Sequence, residues 1–312
     1  MKHIVVVCDN TMGIPGKEID DGLALLYLLG MDDVVIDAIC VTHANASTEE
    51  TYDATQRLMA EFGVDIPVLR GADAPSERMG WLPSDYPTDL KGQTSSQEPS
   101  EAAQYIAARV QNGEDVSLLS LGAATDLAAA ERLSPGCLAR YSEIALMGGI
   151  THSLFVGGLL MNELNFSVDG QAACDTFSTA RDGARLLLAD AWNCLPVTFW
   201  SKEFEERLVK PAYKLSGVLE TYCMPWMEFA HTAWNTDGFV GWDVLAAVAL
   251  VRPDLVELEP FEVACNPRLF SVGYLERAQA PEIAAPISLV VPRNGEALCE
   301  HIYQSWERAV QA

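Results

Sequence analysis

The chain has 312 residues, of which 49% are hydrophobic and 21% charged, so it can bury a sizeable core and is not disordered as a whole. Its 44 acidic residues against 20 basic ones give a formal net charge of −24 at pH 7. Because such a charge repels phosphate backbones and anionic lipid, we expect no nucleic-acid partner and no membrane binding. The composition leaves open whether some of the carboxylates bind a cation.

The N-terminal apolar stretch, Met1 to Val7, is too short for a signal-peptide core. No uninterrupted apolar run reaches the roughly 20 residues that a membrane helix needs. The eight cysteines occur singly, without a C-x-x-C pair, and most lie in apolar segments. We therefore expect a cytoplasmic protein whose cysteines are reduced thiols in the core.

Short β-rich runs alternate with helical patterns along the first half of the chain. In chain order, the pattern predicts a strand over 3–8, a helix over 20–29, a strand over 34–42, a helix over 48–62, a strand over 68–69, a helix over 101–111, a strand over 116–121, a helix over 126–133 and a strand over 143–147. This alternation is typical of an α/β fold with an open, mostly parallel sheet flanked by helices. The first strand is apolar without alternation and should be central.

Two segments lack this periodicity, residues 71–99 and residues 151–158. Irregular segments of this length within a compact domain are usually functional or disordered. A helix over 244–251, a strand over 287–291 and a final helix complete the pattern. No Ser/Gly linker or internal repeat divides the chain, so we expect one domain over 1–312.

Three carboxylates lie close to the end of the first predicted strand. Asp9 directly follows that strand, and a Gly- and Pro-containing loop returns the chain to Asp20 and Asp21 at the start of an apolar helix. Ligands bind at the carboxyl ends of strands in open α/β sheets. A single Asp at a helix start is commonly a cap. Three converging carboxylates would repel one another unless a hard cation, Ca²⁺ or Mg²⁺, neutralised them, so the segment predicts a cation site.

Polar groups at three further places could complete such a site. A small-residue turn leads from the strand over 116–121 to Thr125, where a backbone carbonyl could be a ligand, although such turns are ordinary. Glu163 and Asn165 point the same way if their segment is extended, and this pair suits a diol. Asp243 opens another apolar helix, where a cap is again the simpler interpretation.

The order and spacing of these residues, with Asn45 after the second strand and Met147-Gly148-Gly149, resemble the inosine-uridine nucleoside hydrolase family over nearly the whole chain. The resemblance implies an enzyme, a nucleoside hydrolase with an open α/β fold. It also implies a reaction, the hydrolysis of the N-glycosidic bond of ribonucleosides to free base and ribose, with tightly bound Ca²⁺ as cofactor.

The resemblance implies roles for individual residues. The metal ligands would be Asp9, Asp21, the backbone carbonyl of Thr125, and Asp243. The ribose contacts would be Asp20, Asn45, Glu163 and Asn165, with Asp243 also near the sugar. Ca²⁺ would bind a water and both vicinal ribose hydroxyls, and Asp9 would take the proton of that water as general base. Carboxylates such as Glu163 would stabilise positive charge on the sugar.

The residue before Asp243 bears on the leaving base. Many family members have a His there that is associated with protonating the base, whereas this chain has Trp242. A purine-specific branch has Trp at this place and sandwiches the base between two indoles. We therefore expect purine nucleosides to be favoured, with Trp242 and Trp81 as base-binding residues. Each of the two could instead be an ordinary packing residue.

The chain departs from the family pattern in two places. With an ungapped strand, Asp9 falls on the second Asp of the family's D-x-D-x-x-x-D-D motif and Val7 on the first. Placing Asp9 on the first Asp would leave Thr11 at a metal position, so the ungapped alignment is preferred. A further ribose-contacting Asn of the family falls on Gly157, so we expect a different grip on the 5′ end of the sugar.

Two other functions stay open at this point. A haloacid dehalogenase-type phosphatase also has an Asp after its first strand, but its second Asp is replaced here by Thr11. A protein of the hydrolase fold could also bind a nucleoside or sugar without cleaving it, which Gly157 favours and the retained metal ligands oppose. We expect a Ca²⁺-dependent nucleoside hydrolase of purine salvage and nucleoside catabolism. Members of the family are commonly dimers or tetramers, so the resemblance implies a homo-oligomer.

Overall fold

A computed structural model describes residues 1–73 and 99–311. The strands are β1 (Lys2–Cys8), β2 (Val34–Val41), β3 (Val68–Arg70), β4 (Val116–Ser120), β5 (Ile144–Met147), β6 (Leu154–Val156), β7 (Leu159–Met161), β8 (Leu186–Ala189), β9 (Thr198–Trp200), β10 (Gly238–Val240), β11 (Val256–Ala264) and β12 (Ala284–Pro292). The helices are α1 (Asp20–Leu29), α2 (Thr48–Phe62), α3 (Glu101–Arg109), α4 (Thr125–Leu133), α5 (Gly170–Ser178), α6 (Ala191–Cys194), α7 (Ser201–Leu208), α8 (Ser216–Trp234), α9 (Trp242–Val251), α10 (Pro267–Phe270) and α11 (Gly295–Gln311).

Within the described ranges, the central sheet has the strand order β11-β12-β8-β5-β4-β1-β2-β3. Its neighbouring strands are parallel, except that β11 runs antiparallel to β12. The predicted α/β fold with an open, mostly parallel sheet is confirmed. Strand β1 lies between β4 and β2, and its alternate side chains enter two separate hydrophobic cores, one on each face of the sheet. Both faces are covered, which is why this strand is apolar without alternation.

The predicted elements agree with the structure to within two residues at each end, apart from the closing strand, which extends over Ala284–Pro292. The prediction that residues 151–158 are irregular was wrong in part, because β6 and β7 pair there as an antiparallel hairpin. Most of the irregular segment 71–99 lies outside the described residues. No helix of the described chain combines the length and apolar character that crossing a membrane would require.

The order in which strands are added to the sheet reverses between β1 and β4. The chain adds β2 and β3 on one side of β1, then adds β4, β5, β8 and β12 on the other. The loops after β1 and β4 therefore leave the sheet in opposite directions and open a crevice at its carboxyl edge, which is where ligands bind in such folds.

Helices α1 and α9 bring their N-termini to this crevice. Both are buried almost all round, because they pack against each other on one face of the sheet beneath an outer layer of helices. Neither has a side chain that caps its first turn, and both place Asp residues there instead. Negative charge is stabilised at a helix N-terminus by the backbone dipole.

Candidate active site

An acidic cluster formed by Asp20, Asp21 and Asp243 lies where α1 and α9 meet. One carboxylate oxygen from each lies within 4.8 Å of the others, and the three residues are at most 5% exposed. The backbone N–H of Asp243 lowers the pKa of Asp20, so the two helix starts interact. The fold therefore joins residues that lie more than 200 positions apart in the sequence.

The electrostatics of the acidic cluster disfavour three bare charges. Burial raises the pKa of Asp20 to about 6. Burial, and then repulsion by neighbouring carboxylates, raises the pKa values of Asp21 and Asp243 well above the usual range. Both causes penalise the ionised form, and a bound cation would remove the penalty.

The acidic cluster fits a hard divalent cation. Oδ1 of Asp20 and Oδ2 of Asp21 are buried without a hydrogen-bond partner in the described protein. Buried polar atoms are normally paired, so unpaired carboxylate oxygens within one acidic cluster suit a bound cation. Oxygen ligands about 2.3–2.6 Å from Ca²⁺ can lie up to about 5 Å apart, which matches the spacing of the cluster.

Asp9 lies beside the acidic cluster rather than among its three members. Its backbone N–H donates to Oδ1 of Asp21 at 3.2 Å, and its Oδ2 accepts from the backbone N–H of Asn45 at 2.6 Å. Its Oδ1 is buried and unpaired in the described structure. Burial raises the pKa of Asp9 to about 7. The structure thus groups Asp20, rather than Asp9, with Asp21 and Asp243, while the individual roles stay predictions.

The loop after β1 is tied to the end of β2 by a lysine. Lys17 Nζ donates to the backbone carbonyl of Asn45 at 2.7 Å, and burial lowers the pKa of this lysine. Its charge also lowers the pKa of Asp9, against the larger effect of burial. The long loop thus brings the positively charged Lys17 close to the carboxylates and fixes the backbone of Asn45.

Glu163 and Asn165 lie in the loop after β7 and are held by backbone groups. Glu163 accepts from the backbone N–H of Phe166 at 3.0 Å, and burial raises its pKa to about 7. The Asn165 amide nitrogen donates to the carbonyls of Leu121 at 2.8 Å and Met147 at 3.1 Å, at the ends of β4 and β5. With both amide hydrogens used, Asn165 can offer a ligand its side-chain oxygen.

A cleft with an empty volume of about 530 Å³ opens above these groups. Six of the predicted site residues line it: Asp20, Asn45, Glu163, Asn165, Trp242 and Asp243. A smaller cavity of about 280 Å³ adjoins it, since Glu18, Asp20 and Trp242 line both.

Two other predicted positions, Thr125 and Gly157, do not line the cleft. The Thr125 hydroxyl donates to Asp169 at 2.8 Å and contacts His43, and the proposed role of its carbonyl stays a prediction. Trp81 lies outside the described residues. Gly157 lies in the turn between β6 and β7, against the end of α8.

Two acidic residues near the site were missed from the sequence. Glu18 lies in the loop after β1 and lines both cavities. Asp190 follows β8, is fully buried, and accepts from the Thr151 hydroxyl at 2.5 Å. The signal for Asp190 was available, because Leu186–Ala189 is an apolar run that ends in an Asp, like the run before Asp9.

Comparison with known families settles the family of this chain. A family model described as inosine-uridine preferring nucleoside hydrolase matches residues 6–280. The chain belongs to this family. This nucleoside hydrolase is therefore an enzyme of the class that its sequence predicted, and the phosphatase alternative has no support.

Relatives and solved structures agree with the family. The nucleoside hydrolase is 26% identical over 236 residues to the inosine-uridine preferring nucleoside hydrolase of Leishmania major, covering 71% of each chain. It is 26% identical over 263 residues to the non-specific ribonucleoside hydrolase RihC of Escherichia coli O1:K1, covering 79% of this chain and 80% of the relative.

Its fold is similar to that of a purine-preferring ribonucleoside hydrolase from Gardnerella vaginalis, with a TM-score of 0.81, 19% identity and 99% coverage of both chains. It is also similar to the plant nucleoside hydrolase PpNRh1, with a TM-score of 0.78, 21% identity and coverage of 100% of this chain and 99% of that one.

Proposed function

We propose that this nucleoside hydrolase cleaves the N-glycosidic bond of ribonucleosides, favouring purine nucleosides, with Ca²⁺ bound at the acidic cluster beside Asp9. The observation that carries the proposal is the set of buried, unpaired carboxylate oxygens beside a cleft lined by Asn45, Glu163 and Asn165. Such oxygens suit a calcium ion, and the groups around the cleft suit a polyhydroxylated sugar.

In this proposal the oxygen of the attacking water bonds to the anomeric carbon and one of its protons goes to Asp9. The base leaves with the electron pair of the N-glycosidic bond and takes a proton from solvent. When bound, Ca²⁺ supplies a Lewis acid that lowers the pKa of a water and holds the ribose diol. Asp9 is suited to accept that proton because it lies beside the acidic cluster, where its backbone N–H donates to Asp21. Its Oδ2 is fixed by the Asn45 backbone, so Oδ1 is the oxygen left for the proton.

Glu163 and Asn165 hold the sugar in this proposal. The Asn165 side-chain oxygen would accept from a ribose hydroxyl, since its amide nitrogen is already used by two carbonyls. Glu163, fixed by the Phe166 N–H, would place negative charge beside the sugar as positive charge develops on the ring.

Trp242 is proposed to stack on the leaving base. It is half-buried at the start of α9, beside Asp243, and lines both cavities. A planar indole at this place favours the larger ring system of a purine.

Replacing Trp242 by Ala is expected to raise KM for inosine and guanosine. Stacking of a base on an aromatic side chain is worth about 1–3 kcal/mol, so we expect a rise of roughly 5- to 150-fold. Pyrimidine nucleosides should be affected less. Steady-state kinetics on the purified variant would measure both. Trp200→Ala, which changes an indole 54% exposed away from the cleft, is the control and should leave both KM values unchanged. Equal losses for purines and pyrimidines would contradict the role in base preference.

The proposed function is tested by measuring release of base and reducing sugar from inosine, adenosine, guanosine, uridine and cytidine. The panel is run on the calcium-loaded protein, after chelation, and after calcium is added back. We expect cleavage that favours purines, disappears on chelation and returns with calcium. No turnover of any nucleoside, with calcium bound, would overturn the proposal in favour of a protein that binds nucleosides without cleaving them.

A further inference from the structure

The hairpin of β6 and β7 forms one wall of the cleft. Its side chains divide into an inner set, Leu154 and Val156, which are buried, and an outer set, Phe155 and Leu160, which are more than half exposed. Leu154 and Met161 line the larger cavity, and Val156 lines the smaller one. The position of the hairpin therefore sets the shape of both cavities.

The tip of the hairpin is held against the C-terminal end of α8. Gly157 and Gly158 form the turn, and both have positive φ, at +56° and +84°. A Cβ added to Gly157 would overlap the backbone carbonyl oxygen of Trp234 and would lie 2.8 Å from that of Asn235. The Asn235 amide also donates to the Gly157 carbonyl at 3.3 Å. Only a residue without Cβ permits this backbone-to-backbone approach.

The other side of this contact also belongs to the site. Trp234, whose carbonyl touches Gly157, lines the smaller cavity with Trp226, close to Trp242. The rings of Trp226 and Trp234 pack edge to face, with centroids 5.0 Å apart. The contact at Gly157 thus joins two walls of one substrate site.

We propose that Gly157 is a positioning residue that latches the β6–β7 hairpin to the end of α8 and so sets the apolar wall of the nucleoside site. The inference rests on the proposed function, because it assigns the cleft to a nucleoside. The contact itself, between Gly157 and residues 234–235, contains no carboxylate. Loss of the latch should therefore weaken substrate binding more than it slows the chemical step, which raises KM and leaves kcat nearly unchanged.

The test compares Gly157→Ala with Gly158→Ala. Both changes add one methyl group at positive φ in the same turn, but no described atom lies within 4 Å of a Cβ at Gly158. The difference between the variants therefore isolates the overlap with α8. A displaced wall is expected to lower kcat/KM for the best nucleoside by roughly 10- to 100-fold in Gly157→Ala, nearly all of it in KM. Gly158→Ala should stay close to wild type.

Folding of each variant is checked by circular dichroism and thermal unfolding, and nucleoside affinity is measured by tryptophan fluorescence. If Gly157→Ala does not fold, Asn235→Gly decides the matter. That change keeps a residue suited to the positive φ of +52° and removes the hydrogen bond to Gly157. It should raise KM and Kd several-fold.

If the wild-type enzyme is active and Gly157→Ala has an unchanged KM, the latch is overturned and the proposed function stands. Where Gly157→Ala does not fold, an unchanged KM in Asn235→Gly has the same meaning. An equal change in Gly157→Ala and Gly158→Ala also overturns it. A wild-type protein that binds nucleosides without cleaving them overturns the proposed function, and the latch is then judged from Kd. A wild-type protein that neither binds nor cleaves them overturns both.

Discussion

Replacing Asp21 by Asn is expected to abolish calcium-dependent turnover while making the metal-free protein more stable. The Asn side chain keeps an oxygen that can accept from the Asp9 N–H, so the local backbone is preserved. Its amide nitrogen replaces the buried, unpaired Oδ2, which removes one charge from the acidic cluster. Activity falls while metal-free stability rises, because the negative charges that bind the cation repel one another and oppose folding when it is absent.

The expected sizes are large enough to separate these effects. Loss of a calcium ligand should lower kcat/KM by roughly 10³-fold or more. Relief of repulsion should stabilise the metal-free protein by about 1–2 kcal/mol, or roughly 1.5–3 °C in Tm. Wild-type Tm should rise on adding calcium, and the Tm of the variant should respond much less.

Thermal unfolding with chelator and with calcium, together with calcium titration calorimetry, would measure these effects. Asp53→Asn is the control, because it removes the same charge from an exposed position in α2 and should change neither activity nor the calcium response. A metal-free Asp21→Asn protein that is less stable than wild type, or that still binds calcium as tightly, would contradict the interpretation of the acidic cluster.

Replacing Asp9 by Asn is expected to lower kcat by roughly 10²- to 10⁴-fold, as for loss of a general base. Asn keeps the acceptor for the Asn45 N–H, but it cannot take a proton from water at neutral pH. Because Asp20, Asp21 and Asp243 stay in place, we expect the variant to retain calcium binding. KM should change little, since Asp9 does not line the cleft that receives the nucleoside.

Single-turnover kinetics and calcium titration on this variant would separate a base from an essential ligand. Asp126→Asn is a matched control, because Asp126 is also fully buried with a raised pKa, but its partners are Ser100 and Ala72, outside the cleft. It should keep kcat close to wild type. A loss of calcium in Asp9→Asn as complete as in Asp21→Asn would show that Asp9 acts chiefly as a ligand.

Much of the fold was predictable because its signals are local. The apolar run before Asp9 indicated a strand covered on both faces, and the strand is buried between β4 and β2. The hairpin over residues 154–161 escaped prediction because its strands have only three residues each and meet at two glycines. Elements this short depend on what they pack against, here the end of α8.

The sequence by itself determined the alternation of strands and helices, the family resemblance, and the presence of carboxylates at strand and helix ends. These features depend on side-chain periodicity and residue type within short segments. Only the tertiary structure decided that Asp20 joins Asp21 and Asp243 while Asp9 lies beside them, and that Gly157 faces α8. The reason is physical: such distances depend on how α1 packs against α9 and how the hairpin meets α8, and packing between distant segments leaves no local pattern in the chain.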